Sequence, residues 1–242
     1  MRQRSVLPLA LLALVLACPS PARPAACPQV LADASRLVLV VTPDMEGPAA
    51  HVSVYERAAA SGSWRRIGDE EPAVVGSAGL GWGLTYRSLA AEGEPLKVEG
   101  DRRTPAGIYR LGPTFGFEPS AAAGHLLLEP DRHLCVDDLD SEHYGHIVPR
   151  SVAGPHTRGE EMAGIGLYRR GIVVDYPSDR LERSGSCIFV HVWEAPRQGT
   201  SGCVALPEPS VARLQEWSAS APAAIAILPR AALDRLAGCL PD

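Results

Sequence analysis

The sequence predicts a mostly β fold, a β-rich sandwich or barrel with one or two helices packed near the C-terminus. Three observations lead there. Short runs of β-branched and apolar residues recur along the chain, Gly and Pro punctuate them, and helical periodicity emerges only late. Many strands followed by a helix, a strand and a last helix suit a sheet-built core with helices at its edge.

Residues 37–41 and 51–56 read as a strand pair, the second with clean alternation. Further strand-like runs are 64–67, 73–75, 108–111, 125–129, 165–168, 171–176 and 187–193. Residues 209–217 place Val211, Leu214 and Trp217 on one helical face with Pro209 at the start, where its missing N–H costs nothing. Residues 223–228 read as a strand and 231–237 as a terminal helix closed by Gly238. After the N-terminal segment there is no repeat and no low-complexity tract.

Residues 1–26 have the layout of an export signal. Arg2 and Arg4 precede an apolar run at 7–17 too short for a membrane span, and small residues follow. Cleavage is expected after Ala22 or Ala26. The alternative is a lipoprotein signal ending before Cys18, which would leave that residue lipidated. Either route places the mature protein outside the cytoplasm, in the periplasm or cell envelope, with no transmembrane span. The remaining roughly 215 residues can bury one sizeable core. A formal charge of −5 without any basic run argues against a nucleic-acid partner.

Six cysteines are present. Setting Cys18 aside leaves Cys27, Cys135, Cys187, Cys203 and Cys239, an odd count that in an oxidising compartment suggests two disulfides and one free thiol. Cys27 with Cys239 and Cys135 with Cys187 are the candidate pairs, because chain ends often lie close together. Cys203 is left over. It stands in a small-residue turn, Thr200-Ser201-Gly202-Cys203, twelve residues after His191 on a strand. An imidazole beside a thiol can take its proton and leave a thiolate nucleophile. Gly202 permits a tight turn that would aim main-chain N–H groups at an oxyanion. A metal reading of Cys187, His191 and Cys203 fails on spacing. Strand geometry separates Cys187 from His191 by about 13 Å, whereas zinc ligands lie about 2 Å from one ion. No metal and no cofactor is expected.

With that block placed, the chain resembles the L,D-transpeptidase (YkuD-like) catalytic domain family over roughly residues 37–228, leaving 229–242 as a C-terminal helix and tail. In that family a strand histidine precedes a Ser/Thr-x-Gly-Cys turn, which 200–203 matches. Residues 101–107, Asp101-Arg-Arg-Thr104-Pro105-Ala-Gly107, resemble the family's Asp-x-x-Thr-Pro-x-Gly segment, and 75–83 the hairpin before it. Two positions depart from the pattern. Ser201 stands where most members carry His, and Ala205 where they carry Arg or Asn, a natural partner for a substrate carboxylate.

The resemblance implies a peptidoglycan enzyme. Cys203 would attack the carbonyl at the L-centre of diaminopimelate in a tetrapeptide stem, D-alanine would leave, and an amine would resolve the thioester into a cross-link or attachment. His191 would serve as proton donor and acceptor, oriented through its second ring nitrogen by a backbone carbonyl within 185–201. Gly202 would be a backbone oxyanion donor. Ser201, Trp193, Arg197 and Tyr168 are candidate substrate contacts: Trp193 by strand parity with His191, and Arg197 from its loop. The alternatives are a carboxypeptidase- or amidase-type hydrolase of the same fold and a non-catalytic cell-wall-binding module. A sortase-like transpeptidase also runs His then Cys, but neither its Thr-Leu-x-Thr-Cys strand nor a downstream Arg at strand spacing occurs here. Asp137, Asp138 and Asp140 read as a solvated turn, with Tyr144 and His146 close by.

Overall fold

A computed structural model describes residues 27–59 and 62–241. The export signal expected at 1–26, with its Cys18 alternative, lies outside the described residues. The first elements are a short helix α1 (Gln29–Asp33), then β1 (Arg36–Thr42), β2 (Ala49–Glu56), β3 (Arg65–Val74) and β4 (Leu80–Trp82). A long strand β5 (Thr104–Gly116) and a short β6 (Leu126–Leu127) follow. After them come β7 (His133–Val136), β8 (Ile147–Pro149), α2 (Arg150–Ala153) and β9 (Gly159–Glu161). The last elements are β10 (Arg170–Asp175), β11 (Phe189–Val192), β12 (Val204–Leu206), α3 (Glu208–Ser218) and β13 (Ala223–Pro229).

The strand order β10-β11-β12-β3-β2-β1-β13-β5 closes on itself, because β5 also pairs with β10. Closure gives a barrel and removes the sheet edges that would otherwise stay unpaired. β4 and β6 hang from β5 as parallel additions. β13 is buried along its full length, which its uninterrupted apolar run Ala223-Ala-Ile-Ala-Ile-Leu228 anticipates. α3 rests on β10 and β11. Its Gln215 donates to the carbonyls of Phe115 and Gly171 at 2.8 and 2.9 Å, tying the helix to the β5–β10 seam where the barrel shuts. The two chain ends join the main core through Leu31, Ala232 and Leu240, and Cys27 is bonded to Cys239. A crosslink across 212 residues lowers the entropy of the unfolded chain by the equivalent of about 5 kcal/mol.

Several segments differ from expectation. Residues 64–67 and 73–75 belong to one strand, β3, carried by pairing with β2 through the charged stretch Asp69-Glu70-Glu71. Residues 165–168 form no strand. Ile165 joins two 3-10 turns, Met162–Gly164 and Gly166–Arg169, and the second packs on β5 and β11 without joining their ladders. Residues 75–83 run from β3 into β4, which pairs parallel to β5, so they make no hairpin. The terminal segment Arg230–Leu236 is a 3-10 helix. A small antiparallel sheet, β8-β7-β9, had no sequence forecast. It stands over a second apolar cluster of Phe115, Leu128, Cys135, Met162, Tyr168, Cys187, Phe189 and Cys203.

Candidate active site

Cys203 lies at the foot of β12 and His191 on β11, and the parallel register pairs His191 with Ala205. Two distant segments hold the cysteine turn. Thr104, at the start of β5, donates its hydroxyl to the Cys203 carbonyl at 3.1 Å and accepts the Gly76 N–H at 2.8 Å. Thr200 Oγ1 donates to the same carbonyl at 2.6 Å, while the amides of Ser77 and Thr200 exchange bonds with the carbonyls of Thr200 and Val75. The Asp101–Gly107 segment is thus a clamp on the nucleophile turn. Ala205 is fully buried in the barrel wall, so an arginine there could not face solvent without rebuilding β12.

Cys203 is the free cysteine among the described residues, since Cys135 is bonded to Cys187. It is 6% exposed yet borders a cavity of about 580 Å³. Its sulphur accepts the Phe189 N–H at 3.3 Å, and its thiol donates to the Cys187 carbonyl at 3.4 Å. Burial in the second apolar cluster, with the nearby Glu160 charge as the next cause, pushes the thiol well above its usual range. The Phe189 hydrogen bond, the Lys97 charge and the Tyr168 hydroxyl pull it back.

His191 is 5% exposed and meets the Tyr168 ring edge-on at 5.3 Å. Burial lowers its pKa to about 4, so the imidazole is neutral at physiological pH and free to accept a proton. Its Nδ1 lies 2.7 Å from the Val192 carbonyl; assigning the proton to Nδ1 leaves Nε2 as the acceptor.

Lys97 carries no sequence forecast. It is the only lysine in 242 residues, and its side chain is 3% exposed. The ammonium donates to Asp101 at 2.5 Å and to the Val98 carbonyl at 3.0 Å. Its stem passes between two glycines of positive φ, Gly185 and Gly202. A Cβ on Gly185 would meet Lys97 Cε at 2.6 Å, and one on Gly202 would approach Lys97 Nζ at 3.8 Å. The bare Gly185 makes room for the lysine stem, which brings a fixed positive charge near the Gly202–Cys203 turn. The usable signal was compositional: a chain that otherwise takes Arg for its long cations keeps one lysine, four residues before Asp101.

Ser201 and Tyr168 border the cavity with His191 and Cys203. Trp193 and Arg197 are not among its lining residues. β11 ends at Val192, and the Trp193 amide donates to the Leu206 carbonyl at 2.8 Å as the last bond of that ladder. Arg197 is exposed on its loop. The Gly202 amide donates to Thr200 Oγ1 at 3.1 Å and is therefore occupied, which removes it as a ready oxyanion donor. The Cys203 N–H has no partner among the described residues. Tyr144 and His146 are also off the cavity wall; Tyr144 donates to Glu99 at 2.5 Å.

The sequence model of the YkuD family, the L,D-transpeptidase catalytic domain, matches residues 59–225. The chain belongs to the YkuD family. That family acts on peptidoglycan. No curated protein matches the chain. Among solved structures it is similar to the helical cell shape determining protein Pgp2 from Campylobacter jejuni, at 17% identity and a TM-score of 0.41. It is also similar to Bd1075 from Bdellovibrio bacteriovorus, at 19% identity and a TM-score of 0.42. Each alignment covers 81% of this chain but only 48% and 49% of those proteins, so the YkuD chain spans about half their length. No helix among the described residues is long and apolar enough to cross a membrane.

Proposed function

We propose that the protein is a peptidoglycan L,D-transpeptidase acting outside the cytoplasm through a Cys203 thioester. The observation that carries this reading is one free thiol, on a cavity wall, beside an imidazole kept neutral by burial. The cavity is large enough for a peptide stem. The Cys203 S–H proton passes to His191 Nε2 and the sulphur attacks the carbonyl at the L-centre of diaminopimelate. The tetrahedral oxyanion is received by the Cys203 N–H, with the Lys97 charge close to the turn. Imidazolium is costly in this buried setting, so His191 hands its proton on to the departing D-alanine amine. An acceptor amine then resolves the thioester. Ser201 and Tyr168 are the proposed substrate contacts.

The test is mass spectrometry of protein and products with purified muropeptides. Tetrapeptide stems should give a Cys203 thioester adduct and free D-alanine, pentapeptide stems little of either, and Cys203→Ser protein neither. D-alanine release without any cross-linked product would assign a carboxypeptidase-type hydrolase. Binding to sacculi with no adduct and no D-alanine would assign a wall-binding module.

A further inference from the structure

The active-site face of the β8-β7-β9 sheet carries a carboxylate that the reaction above does not use. Glu160 on β9 accepts the Tyr168 hydroxyl at 2.5 Å, and both residues border the cavity with Cys203. Tyr168 belongs to the apolar cluster that encloses the cysteine, and its hydroxyl acts on the Cys203 sulphur to hold the thiol's pKa down. The phenol therefore stands between a carboxylate and the thiol. The placement is covalently enforced. Glu160 sits opposite Cys135 in the β7–β9 register, Cys135 is bonded to Cys187, and the Cys187 carbonyl receives the Cys203 thiol. His191, the other base, shows no hydrogen bond to the sulphur; its Nδ1 is held by Val192.

We propose that Glu160, acting through the Tyr168 hydroxyl, is a second proton acceptor for the Cys203 thiol alongside His191. This rests on Cys203 being the nucleophile. The Cys203 S–H bond breaks and its proton goes to Tyr168 Oη as the phenol's own proton passes to Glu160 Oε2. The products are a thiolate, an intact phenol and a neutral carboxylic acid, with no change of oxidation state. In this relay Tyr168, which shares the apolar cluster with Cys203, takes the sulphur's proton. Glu160 acts through it and is a positioning residue.

Glu160 is suited to this work. Burial raises its carboxyl to about 7, and the charges of Asp137, beyond β7, and Glu99, before β5, push the same way, while the Tyr168 hydrogen bond opposes them. Arg158 in turn offsets Asp137, and the Lys97 charge lowers the Cys203 thiol. An acceptor with a value near neutrality is matched to proton transfer at the pH of an envelope compartment.

Iodoacetamide alkylation of Cys203, followed by intact mass between about pH 5 and 9, tests the relay without any substrate, because the rate tracks thiolate content. The His191→Ala variant should keep a rate that rises through about pH 7 and then levels, the signature of an internal acceptor that must be ionised to take the proton. Adding Glu160→Gln should abolish the plateau and leave a rate climbing steadily with pH. At pH 7.5 the rate should drop by at least about tenfold, the low side of what a positioned acceptor supplies. Tyr168→Phe in the same background should do the same. Superimposable profiles for His191→Ala with and without Glu160→Gln would overturn the proposal. Should Tyr168→Phe fail to fold, the near-isosteric Glu160→Gln still decides. A lost plateau in protein that never acylates stem peptides would keep the relay and reject the substrate, so the two failures are distinguishable.

Discussion

Replacing Glu160 with Gln should make the protein more stable at alkaline pH and leave it unchanged in acid. A solvated Glu titrates near 4.5, and Glu160 in the fold near 7. The folded state therefore binds more protons than the unfolded state between those values, and stability from this group falls as pH rises through that window. The difference is worth about 3 kcal/mol at pH 8 and close to nothing at pH 4, at 1.36 kcal/mol for each pK unit. Gln removes the ionisation while keeping an oxygen to accept the Tyr168 hydroxyl. Urea unfolding under non-reducing conditions at both pH values measures the change, with the midpoint moving at constant slope. A gain equal at pH 4 and pH 8, or none at pH 8, would refute the claim that burial and like charge oppose this carboxylate.

Three further outcomes are expected. Native protein should carry one alkylatable thiol, Cys203, slow at neutral pH because burial keeps it protonated, and peptide mapping that finds equal labelling at Cys135 or Cys187 would contradict the disulfide. His191→Ala should slow acylation by about 10²–10⁴, the usual cost of a lost general base; unchanged turnover would remove it from the mechanism. Lys97→Met should slow Cys203 alkylation roughly tenfold, since the lost charge is partly offset by Asp101 and acts at an effective dielectric of about 20. Lys97→Arg should not restore it, because a guanidinium is too broad for the passage between Gly185 and Gly202; a rescued rate would show that the slot is not selective.

The nucleophile and base stood out in the sequence because a strand histidine and a small-residue cysteine turn are local patterns. The barrel was legible for the same reason, as the all-apolar β13 and the alternating β2 announce themselves. Gly202 was legible as a turn but not as an occupied amide, since its partner is a Thr200 hydroxyl whose rotamer no pattern states. Trp193 was expected beside His191 by strand parity, and it stands one residue past the end of β11, outside the residues that line the cavity. Glu160 could not be seen at all. β7, β8 and β9 are three or four residues long, too short for a period to register, and the fold brings Glu160 to the Cys203 cavity across 43 positions, with a disulfide holding the two parts together.

The same burial that shapes the site drives its two proton acceptors in opposite directions, and their effects on stability nearly cancel. His191 falls from 6.5 to about 4. The unfolded chain then binds more protons, and stability from His191 is lost as pH falls from about 6.5 towards 4. Glu160 loses stability over 4.5 to about 7 as pH rises. Where the windows overlap the slopes are equal and opposite, so each hides the other, and the intact protein should show little pH dependence from this pair. Removing one exposes its partner. Glu160→Gln protein should gain about 3 kcal/mol between pH 4 and 6.5 from His191 alone. His191→Ala protein should lose a similar amount between pH 4.5 and 7 from Glu160. Unfolding curves for both variants that stayed flat across those ranges would mean that neither group is buried as tightly as the fold requires.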